Sequence, residues 1–172
     1  NIALAQSLVI GNKGASGIDK VSVDELGDYM LRNWSDIKTS ILTRSYRPLP
    51  VRRVEIPKEQ GGVRKLGIPT VVDRTIQQAI SQVLTPIFEK ELLPQSYGFR
   101  PGRSCEQAII QLLSYLNEGY EWVVDIDLEK FFDNVPQDRL MSFVGRVIQD
   151  PDTESLIRKY LKAGVMDGGQ YK

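Results

Sequence analysis

Two aspartates, two positions apart, interrupt an apolar run in the second half of the chain. Residues 122–128 read Trp-Val-Val-Asp-Ile-Asp-Leu, and this alternation predicts a β-strand whose successive side chains point to opposite faces. Asp125 and Asp127 would then share one face, about 6–7 Å apart along the strand, and the apolar residues at even positions would share the other. Such carboxylates repel each other unless a positive charge lies between them, and magnesium typically takes one or two carboxylates plus substrate phosphates. The alternative is that one aspartate caps the following turn and the other is solvated.

A basic hairpin is the second feature that could do chemistry. Residues 51–56 and 63–68 are predicted strands, with Gly61-Gly62 as the turn between them. Lys58 and Arg64 would lie on opposite arms, close enough to grip a triphosphate. The alternative is a solvated basic hairpin.

An arginine-containing loop precedes a predicted helix. Within residues 95–104, Arg100 and Arg103 flank a Pro-Gly turn, and both arginine and a helix N-terminus favour phosphate. The alternative is a structural loop with Tyr97 and Phe99 in the core.

A pair of aromatic residues, Phe131 and Phe132, follows the two aspartates. Rings at this place could pack beneath a sugar bound near the carboxylates. The alternative is that they are core aromatics at the start of a helix.

Composition excludes several kinds of chemistry. The 172 residues include one cysteine and no histidine, so catalysis by Ser-His-Asp or Cys-His groups and the usual Cys/His zinc sites cannot be built within this chain. No apolar run is long enough to span a membrane, and no signal peptide is visible at the N-terminus, which lacks methionine.

The charges balance at 22 basic and 22 acidic residues but are segregated along the chain. Residues 44–65 hold seven basic and two acidic residues, whereas residues 118–154 hold ten acidic and three basic ones. A basic region facing an acidic one suits a nucleotide-processing enzyme, although both could be ordinary solvated faces.

The elements that position these residues follow from periodicity and capping signals. No repeat is evident, and the order predicts an α+β fold rather than a regular βαβ series. We expect a flexible connector at residues 11–17 and a second hairpin at Gly168-Gly169. Predicted helices lie at residues 2–10, 22–40, 71–92 (kinked or divided at Pro86), 104–116, 136–148 and 151–163.

Three segments in this order resemble the reverse transcriptase domain of group II intron-encoded proteins. They are residues 64–74 (Arg-Lys-Leu-Gly-Ile-Pro-Thr-Val-Val-Asp-Arg), 96–104 (Ser-Tyr-Gly-Phe-Arg-Pro-Gly-Arg-Ser) and 125–135 (Asp-Ile-Asp-Leu-Glu-Lys-Phe-Phe-Asp-Asn-Val). The resemblance extends from about Gly14 to about Gly164, which is most of the chain.

The resemblance implies a right-hand polymerase fold, with residues 1–115 as helical fingers carrying the basic hairpin and residues 116–172 as the start of the palm. It implies that Asp127 is the first catalytic aspartate and that the Leu128 backbone carbonyl is a second contact to Mg²⁺. Asp125 would be a supporting neighbour in the catalytic site.

The resemblance also assigns binding residues. Phe131 or Phe132 would be the steric gate against the ribose 2′-hydroxyl, and Lys58 and Arg64 would hold the deoxynucleoside triphosphate. The residues expected to bind RNA are Arg44, Arg47, Arg52, Arg53, Lys65, Arg100 and Arg103.

The activity implied is templated nucleotidyl transfer with two magnesium ions, together with binding of intron RNA that aids splicing. The partners would be group II intron RNA, an RNA template with a DNA primer, and deoxynucleoside triphosphates, with no membrane. The location would be the bacterial cytoplasm or an organelle.

The family's second metal motif, Tyr-Ala-Asp-Asp, is expected after Lys172, followed by the thumb and maturase domains, so we expect this segment alone to be inactive. The alternatives are a non-enzymatic splicing cofactor that binds intron RNA, and the reverse transcriptase of a retron or a diversity-generating element.

Overall fold

A computed structural model describes residues 1–59 and 61–171. These residues form seven α-helices, one 3₁₀ turn and a four-stranded sheet, which confirms the predicted mixture of helix and sheet. The strands are β1 (Val51–Pro57), β2 (Val63–Ile68), β3 (Val165–Asp167) and β4 (Gln170–Tyr171). The helices are α1 (Ile2–Gly11), α2 (Leu26–Leu42), α3 (Val71–Phe88), α4 (Cys105–Asn117), α5 (Phe131–Asn134), α6 (Gln137–Ile148) and α7 (Pro151–Leu161), with the 3₁₀ turn at Glu89–Glu91.

The chain divides into two compact units. The first is discontinuous and contains Asn1–Leu84 together with the segment from Pro136 onward. The second is Thr85–Val135, which interrupts the first along the sequence. The first unit therefore needs both halves of the chain.

The sheet of the first unit has the strand order β2-β1-β3-β4. β1 and β2 form the predicted antiparallel hairpin, with Ile56 opposite Arg64, and β3 and β4 form a second hairpin, as predicted at Gly168-Gly169. The two hairpins are joined by parallel pairing of β1 with β3, in which Val51 lies opposite Val165. Two local hairpins are thus joined into one sheet by one long-range strand pairing.

The core of the first unit lies among α1, α2 and α3. Leu26 and Met30 are buried one helical turn apart on α2, and Val72 and Ile76 repeat that spacing on α3. Burial of these apolar side chains is the main favourable contribution to folding. Partly buried residues that pack against this core are Ile2, Val21, Val23, Trp34, Ile37, Ile41, Tyr46, Ile80, Leu156 and Tyr160.

Helix ends follow the predicted capping signals. The Ser104 hydroxyl accepts a hydrogen bond from the Gln107 backbone N–H, and the Gln107 side chain accepts one from the Ser104 N–H, so the predicted capping box of α4 is confirmed. Ser22 and Glu25 make the same reciprocal exchange, but they form a turn, and α2 begins at Leu26 rather than at the predicted Ser22. Gly164 follows α7 with a φ of 75°, a conformation that favours glycine.

The connector at residues 11–17 is held against α3. The Arg74 guanidinium donates to the Ala15 carbonyl at 2.7 Å. Gly17 lies so close to the start of the helix that a Cβ added there would be 2.6 Å from Thr70 Cα. Glycine is needed at position 17 because two backbones meet there.

Two predicted elements differ from the structure. Residues 121–128 have no regular secondary structure, so the predicted strand at 122–128 is wrong. A strand needs a hydrogen-bonded neighbour, and the described strands pair with one another instead. Pro86 does not divide α3, which continues to Phe88, and the kink expected at Pro86 stays a prediction.

Candidate nucleotide and nucleic-acid site

The segment that carries the two aspartates is exposed. Val124 and Ile126, predicted to face a core, are 82% and 79% exposed, and Asp125 and Asp127 are exposed as well. Among the residues that the structure describes, no three His, Cys, Asp or Glu side chains are grouped so that they could hold a metal ion. Asp125 and Asp127 are therefore accessible acceptors, and the described residues do not complete a metal site around them.

A tight turn follows the aspartates. Lys130 has a φ of 48° and precedes the four-residue α5, and the Asn134 side-chain amide donates to the Glu129 carbonyl at 3.2 Å. Phe131 and Phe132 start this helix and pack edge to face, with ring centroids 5.5 Å apart. The predicted helix start is confirmed, but the alternative of core aromatics is not, because Phe131 is 50% and Phe132 is 91% exposed.

The tip of the β1–β2 hairpin forms a second candidate surface. The Lys58 N–H donates to the Gly62 carbonyl at 3.0 Å, and Gly61 and Gly62 both have positive φ, which confirms the predicted turn. Lys58 and Arg64 line one open cavity of about 610 Å³, and neither has an ion pair within the described ranges. The structure therefore brings the two predicted triphosphate ligands to one cavity.

The other basic residues of this hairpin differ in their surroundings. Lys65 is exposed, with its Nζ 3.9 Å from a Glu55 carboxylate oxygen. Arg52 and Arg53 are half-buried, and the Nε of each is buried without a hydrogen-bond acceptor among the described residues.

The two arginines of the 95–104 loop also differ. The Arg100 side chain is only 7% exposed and donates to Glu89 and to the carbonyls of Leu93 and Ser96. This hydrogen bonding lowers the pKa of Glu89, so the pair stays ionised over a wider pH range. Arg100 therefore clamps the loop through its guanidinium, and its predicted contact with RNA stays a prediction.

The Arg103 guanidinium lies over the aromatic ring of Tyr97, 5.4 Å from the ring centroid. Such cation–π packing steadies the side chain without using its hydrogen-bond donors. Phe99 is fully exposed with a φ of 57°, so the alternative that placed it in the core is wrong.

Sequence reasoning missed a buried carboxylate at the start of α3. Asp73 is 1% exposed and accepts hydrogen bonds from the Tyr46 hydroxyl at 2.7 Å, the Leu49 N–H at 3.1 Å and the Thr70 hydroxyl at 2.8 Å. The signal was present, because Thr70 and Asp73 have the spacing of an N-terminal capping pair.

Burial raises the pKa of Tyr46, and the nearby Asp73 carboxylate adds to the effect. Burial likewise raises the pKa of Tyr160. Both phenols therefore remain neutral. The hydrogen bonds from Tyr46 and Leu49 to Asp73 hold the loop before β1 against the core.

Arg44 and Arg47 lie away from the hairpin tip, in the loop that follows α2. Arg44 is paired with Asp152 of α7. Both arginines line a cleft with cations of α7, which sequence reasoning also missed because they are more than a hundred residues away along the chain.

With this geometry in place, comparison with known proteins identifies the class. The chain belongs to the reverse transcriptase (RNA-dependent DNA polymerase) family, which matches residues 56–172. This range contains the hairpin tip, the arginine loop and the two aspartates, and membership of this family implies a divalent metal requirement in general. The resemblance stated from the three motifs is confirmed.

Individual proteins are similar to this chain over nearly its whole length. The chain is 37% identical over 177 residues to the protein YkfC of Escherichia coli, covering 99% of the chain and 46% of that protein. It is 35% identical over 171 residues to the group II intron-encoded protein LtrA of Lactococcus lactis, covering 98% of the chain and 28% of LtrA. It is 32% identical over 169 residues to the putative COX1/OXI3 intron 2 protein of Saccharomyces cerevisiae, covering 96% of the chain and 19% of that protein. The chain thus spans less than half the length of each of these relatives.

No helix formed by the described residues combines the length and apolarity needed to cross a membrane.

Proposed function

We propose that this chain is part of an RNA-directed DNA polymerase encoded by a group II intron, and that it provides the nucleotide-binding hairpin and the first catalytic aspartate. The family match over residues 56–172 carries this proposal, because it includes all three motifs in one continuous range. In this assignment residues 1–115 are the fingers and residues 116–172 begin the palm of a right-hand fold.

Lys58 and Arg64 hold the triphosphate of the incoming deoxynucleotide in the proposed mechanism. Both line the cavity at the hairpin tip together with Glu59, and neither forms an ion pair within the described ranges. Arginine offers a two-pronged donor to phosphate oxygens, whereas lysine acts as a compact charge. Together they align the triphosphate so that the primer 3′-hydroxyl attacks the α-phosphate and pyrophosphate leaves.

Asp127 and the Leu128 carbonyl offer hard oxygen donors that suit Mg²⁺, with Asp125 as their neighbour in the chain. When bound, magnesium would neutralise charge that develops on the reacting phosphate. The exposure of this segment leaves these oxygens free to take part in such a site. Its remaining ligands would have to come from outside the described residues, because these contain no group that completes it.

Phe131 or Phe132 serves as the gate that excludes a ribose 2′-hydroxyl. Their exposed rings follow directly after the tight turn at Lys130, so either ring can meet a bound sugar. The RNA strand would contact the basic residues assigned to it, which are Arg44, Arg47, Arg52, Arg53, Lys65, Arg100 and Arg103.

Primer extension tests the polymerase assignment. It is measured with the 172-residue chain and with the longest natural protein that contains it. We expect extension only with the longer protein, and we expect Asp127→Ala to reduce it by about a thousandfold because a metal ligand is lost. Asp133→Ala, which removes another exposed carboxylate nearby, is the matched control and should retain activity.

One outcome would contradict the assignment, and another would contradict the expected inactivity of this segment alone. Equal activity of Asp127→Ala and Asp133→Ala in the longer protein would remove the catalytic role of Asp127. Turnover by the 172-residue chain that is abolished by Asp127→Ala would show that this segment is active alone.

Nucleotide binding is tested separately with Arg64→Ala in the longer protein. We expect a raised KM for the deoxynucleotide, because a phosphate ligand is lost from the cavity. Lys38→Ala removes an exposed positive charge on α2, at a residue with no assigned binding role, and serves as the control. An unchanged KM in Arg64→Ala would remove this role.

A second candidate is a non-enzymatic cofactor that binds intron RNA and aids splicing. The intron-encoded origin stated in the names of two relatives favours it. Asp127→Ala separates the two candidates, because it should abolish polymerisation and leave splicing unchanged if the splicing role needs only RNA affinity.

A further inference from the structure

A basic cleft lies between the loop that follows α2 and helix α7, within the first unit. Its volume is about 670 Å³, and no acidic side chain among the described residues lines it. The described cations that line it are Arg44, Arg47, Arg158, Lys159 and Lys162.

Helix α7 presents its part of the cleft as one continuous face. Ser155, Arg158 and Lys159 of α7 and its C-cap residue Lys162 follow one another at spacings of three, one and three residues, which places them on one side of the helix and its end. The cleft wall is thus encoded by helical periodicity.

Lys159 fastens the opposite wall in place. Its ammonium group donates to the carbonyl oxygens of Arg44 and Tyr46, the latter at 3.0 Å. These acceptors are neutral, so the positive charge of Lys159 is not cancelled. The loop and the helix therefore form a fixed cleft rather than two independent surfaces.

Two of the described cations in the cleft form ion pairs, and Lys162 interacts with Asp138 electrostatically without an ion pair. Arg44 pairs with Asp152, and Arg158 pairs with Asp138 at 2.6 Å. Both pairs are exposed to solvent, where ion pairs contribute little and exchange readily. The other three cations have no carboxylate within ion-pair distance in the described part of the chain. Such an excess attracts a polyanion.

An aromatic ring at the cleft narrows the choice of polyanion. Tyr171 of β4 lines the same cleft and is 64% exposed. Cations beside an exposed aromatic ring are the combination with which proteins bind single-stranded nucleic acid, because the cations contact phosphates and the ring stacks on a base.

We propose that this cleft binds a single-stranded segment of RNA, with Arg47 and Lys162 contacting phosphates and Tyr171 stacking on a base. The proposal rests on the proposed function and extends it, because Arg158, Lys159, Lys162 and Tyr171 are added to the RNA-binding surface. In this proposal Arg44 and Arg47 belong to an RNA-binding cleft that is distinct from the cavity at the hairpin tip.

Equilibrium binding of the 172-residue chain to a labelled single-stranded RNA tests the proposal. The probe is an unstructured RNA of about 30 nucleotides, titrated from about 50 to about 200 mM salt so that phosphate contacts can be counted from the salt dependence. We expect Arg47→Gln combined with Lys162→Gln to raise Kd by about tenfold at the lowest salt. The slope of log K against log salt should become shallower by about 1.4, since each phosphate contact to a single strand contributes about 0.7.

The matched control is Lys38→Gln combined with Lys90→Gln. It also removes two exposed positive charges, but neither residue lines the cleft. Tyr171→Leu should raise Kd by about tenfold with an unchanged salt slope, because it removes stacking rather than charge. Circular dichroism of each variant confirms that it is folded.

A second test introduces a negative charge into the cleft and leaves all of its cations in place. Ser155→Glu places a carboxylate among the cations and should weaken RNA binding, whereas Ser155→Gln, of similar size, should not.

The outcomes separate this proposal from the proposed function. If the unmodified chain binds RNA but the cleft variants match the control variant in Kd and salt slope, the cleft proposal fails while RNA binding by the chain stands. If the unmodified chain does not bind RNA at any salt concentration, the cleft proposal and the RNA-binding part of the proposed function both fail.

Discussion

Asp73 and Asp127 are carboxylates in opposite situations. Asp73 is buried in the first unit and accepts three hydrogen bonds from neighbouring groups. Asp127 is exposed in the second unit, on a segment without regular secondary structure. Burying a charge is costly unless the protein itself supplies partners, so Asp73 is committed to the fold, whereas Asp127 remains available to a ligand.

Asp73→Ala tests this comparison with the largest expected effect. It should destabilise the chain by about 3 kcal/mol, because buried donors lose their acceptor. Asp127→Ala should change the free energy of unfolding by less than about 0.5 kcal/mol, as exposed substitutions usually do. Urea denaturation of both variants measures the difference, and equal losses would contradict the comparison.

A glycine pair extends the comparison to the backbone. Gly17→Ala should cost about 2 kcal/mol, because the new Cβ would be 2.6 Å from Thr70 Cα in the first unit. Gly98→Ala in the second unit meets no atom within 4 Å and should be neutral or slightly stabilising. Thermal unfolding of both variants checks this, and a Gly17→Ala variant as stable as the parent would rule out the close approach.

The ion pair of Glu89 with Arg100 should stabilise the second unit in a way that depends on pH. Its pKa is lowered mainly by the hydrogen bonds from Arg100, so its stabilising contribution is present above its unfolded-state pKa and is lost as pH falls through the folded-state value. The stability difference between the parent and Glu89→Gln should therefore be present at neutral pH and disappear in acid. Urea midpoints measured across this pH range show the trend, and a difference that grows in acid would contradict it.

The smallest expected effect is at Ile126. Because its side chain is 79% exposed, Ile126→Thr should change the free energy of unfolding by less than about 0.5 kcal/mol. Ile76→Thr, at a position that is 3% exposed, should cost several times more, because it buries a hydroxyl and removes core packing. A large loss in Ile126→Thr would show that this residue is buried in solution.

Local signals predicted much of the fold. The capping box at Ser104, the glycine turn at Gly61-Gly62 and the helical periodicity of α2 and α3 each depend on residues a few positions apart, and each was confirmed. The strand predicted at residues 122–128 failed because strand formation depends on a partner, which an alternating pattern does not supply.

The candidate site divides in the same way. The Lys58 and Arg64 cavity was predictable because a tight turn brings two nearby positions together. The cleft at α7 and the Tyr46 contact of Asp73 were not, because each joins segments whose proximity is set by the tertiary fold.

The pairing of Val51 with Val165 has a consequence for synthesis on the ribosome. More than a hundred residues separate the two strands, so at about 5–20 residues per second the free edge of β1 waits roughly 6 to 23 seconds for β3 to be made. An unpaired strand edge is a template for aggregation, and charged side chains reduce that risk. Arg52 and Arg53 of β1 therefore reduce the risk of aggregation at the edge of this strand until β3 covers it.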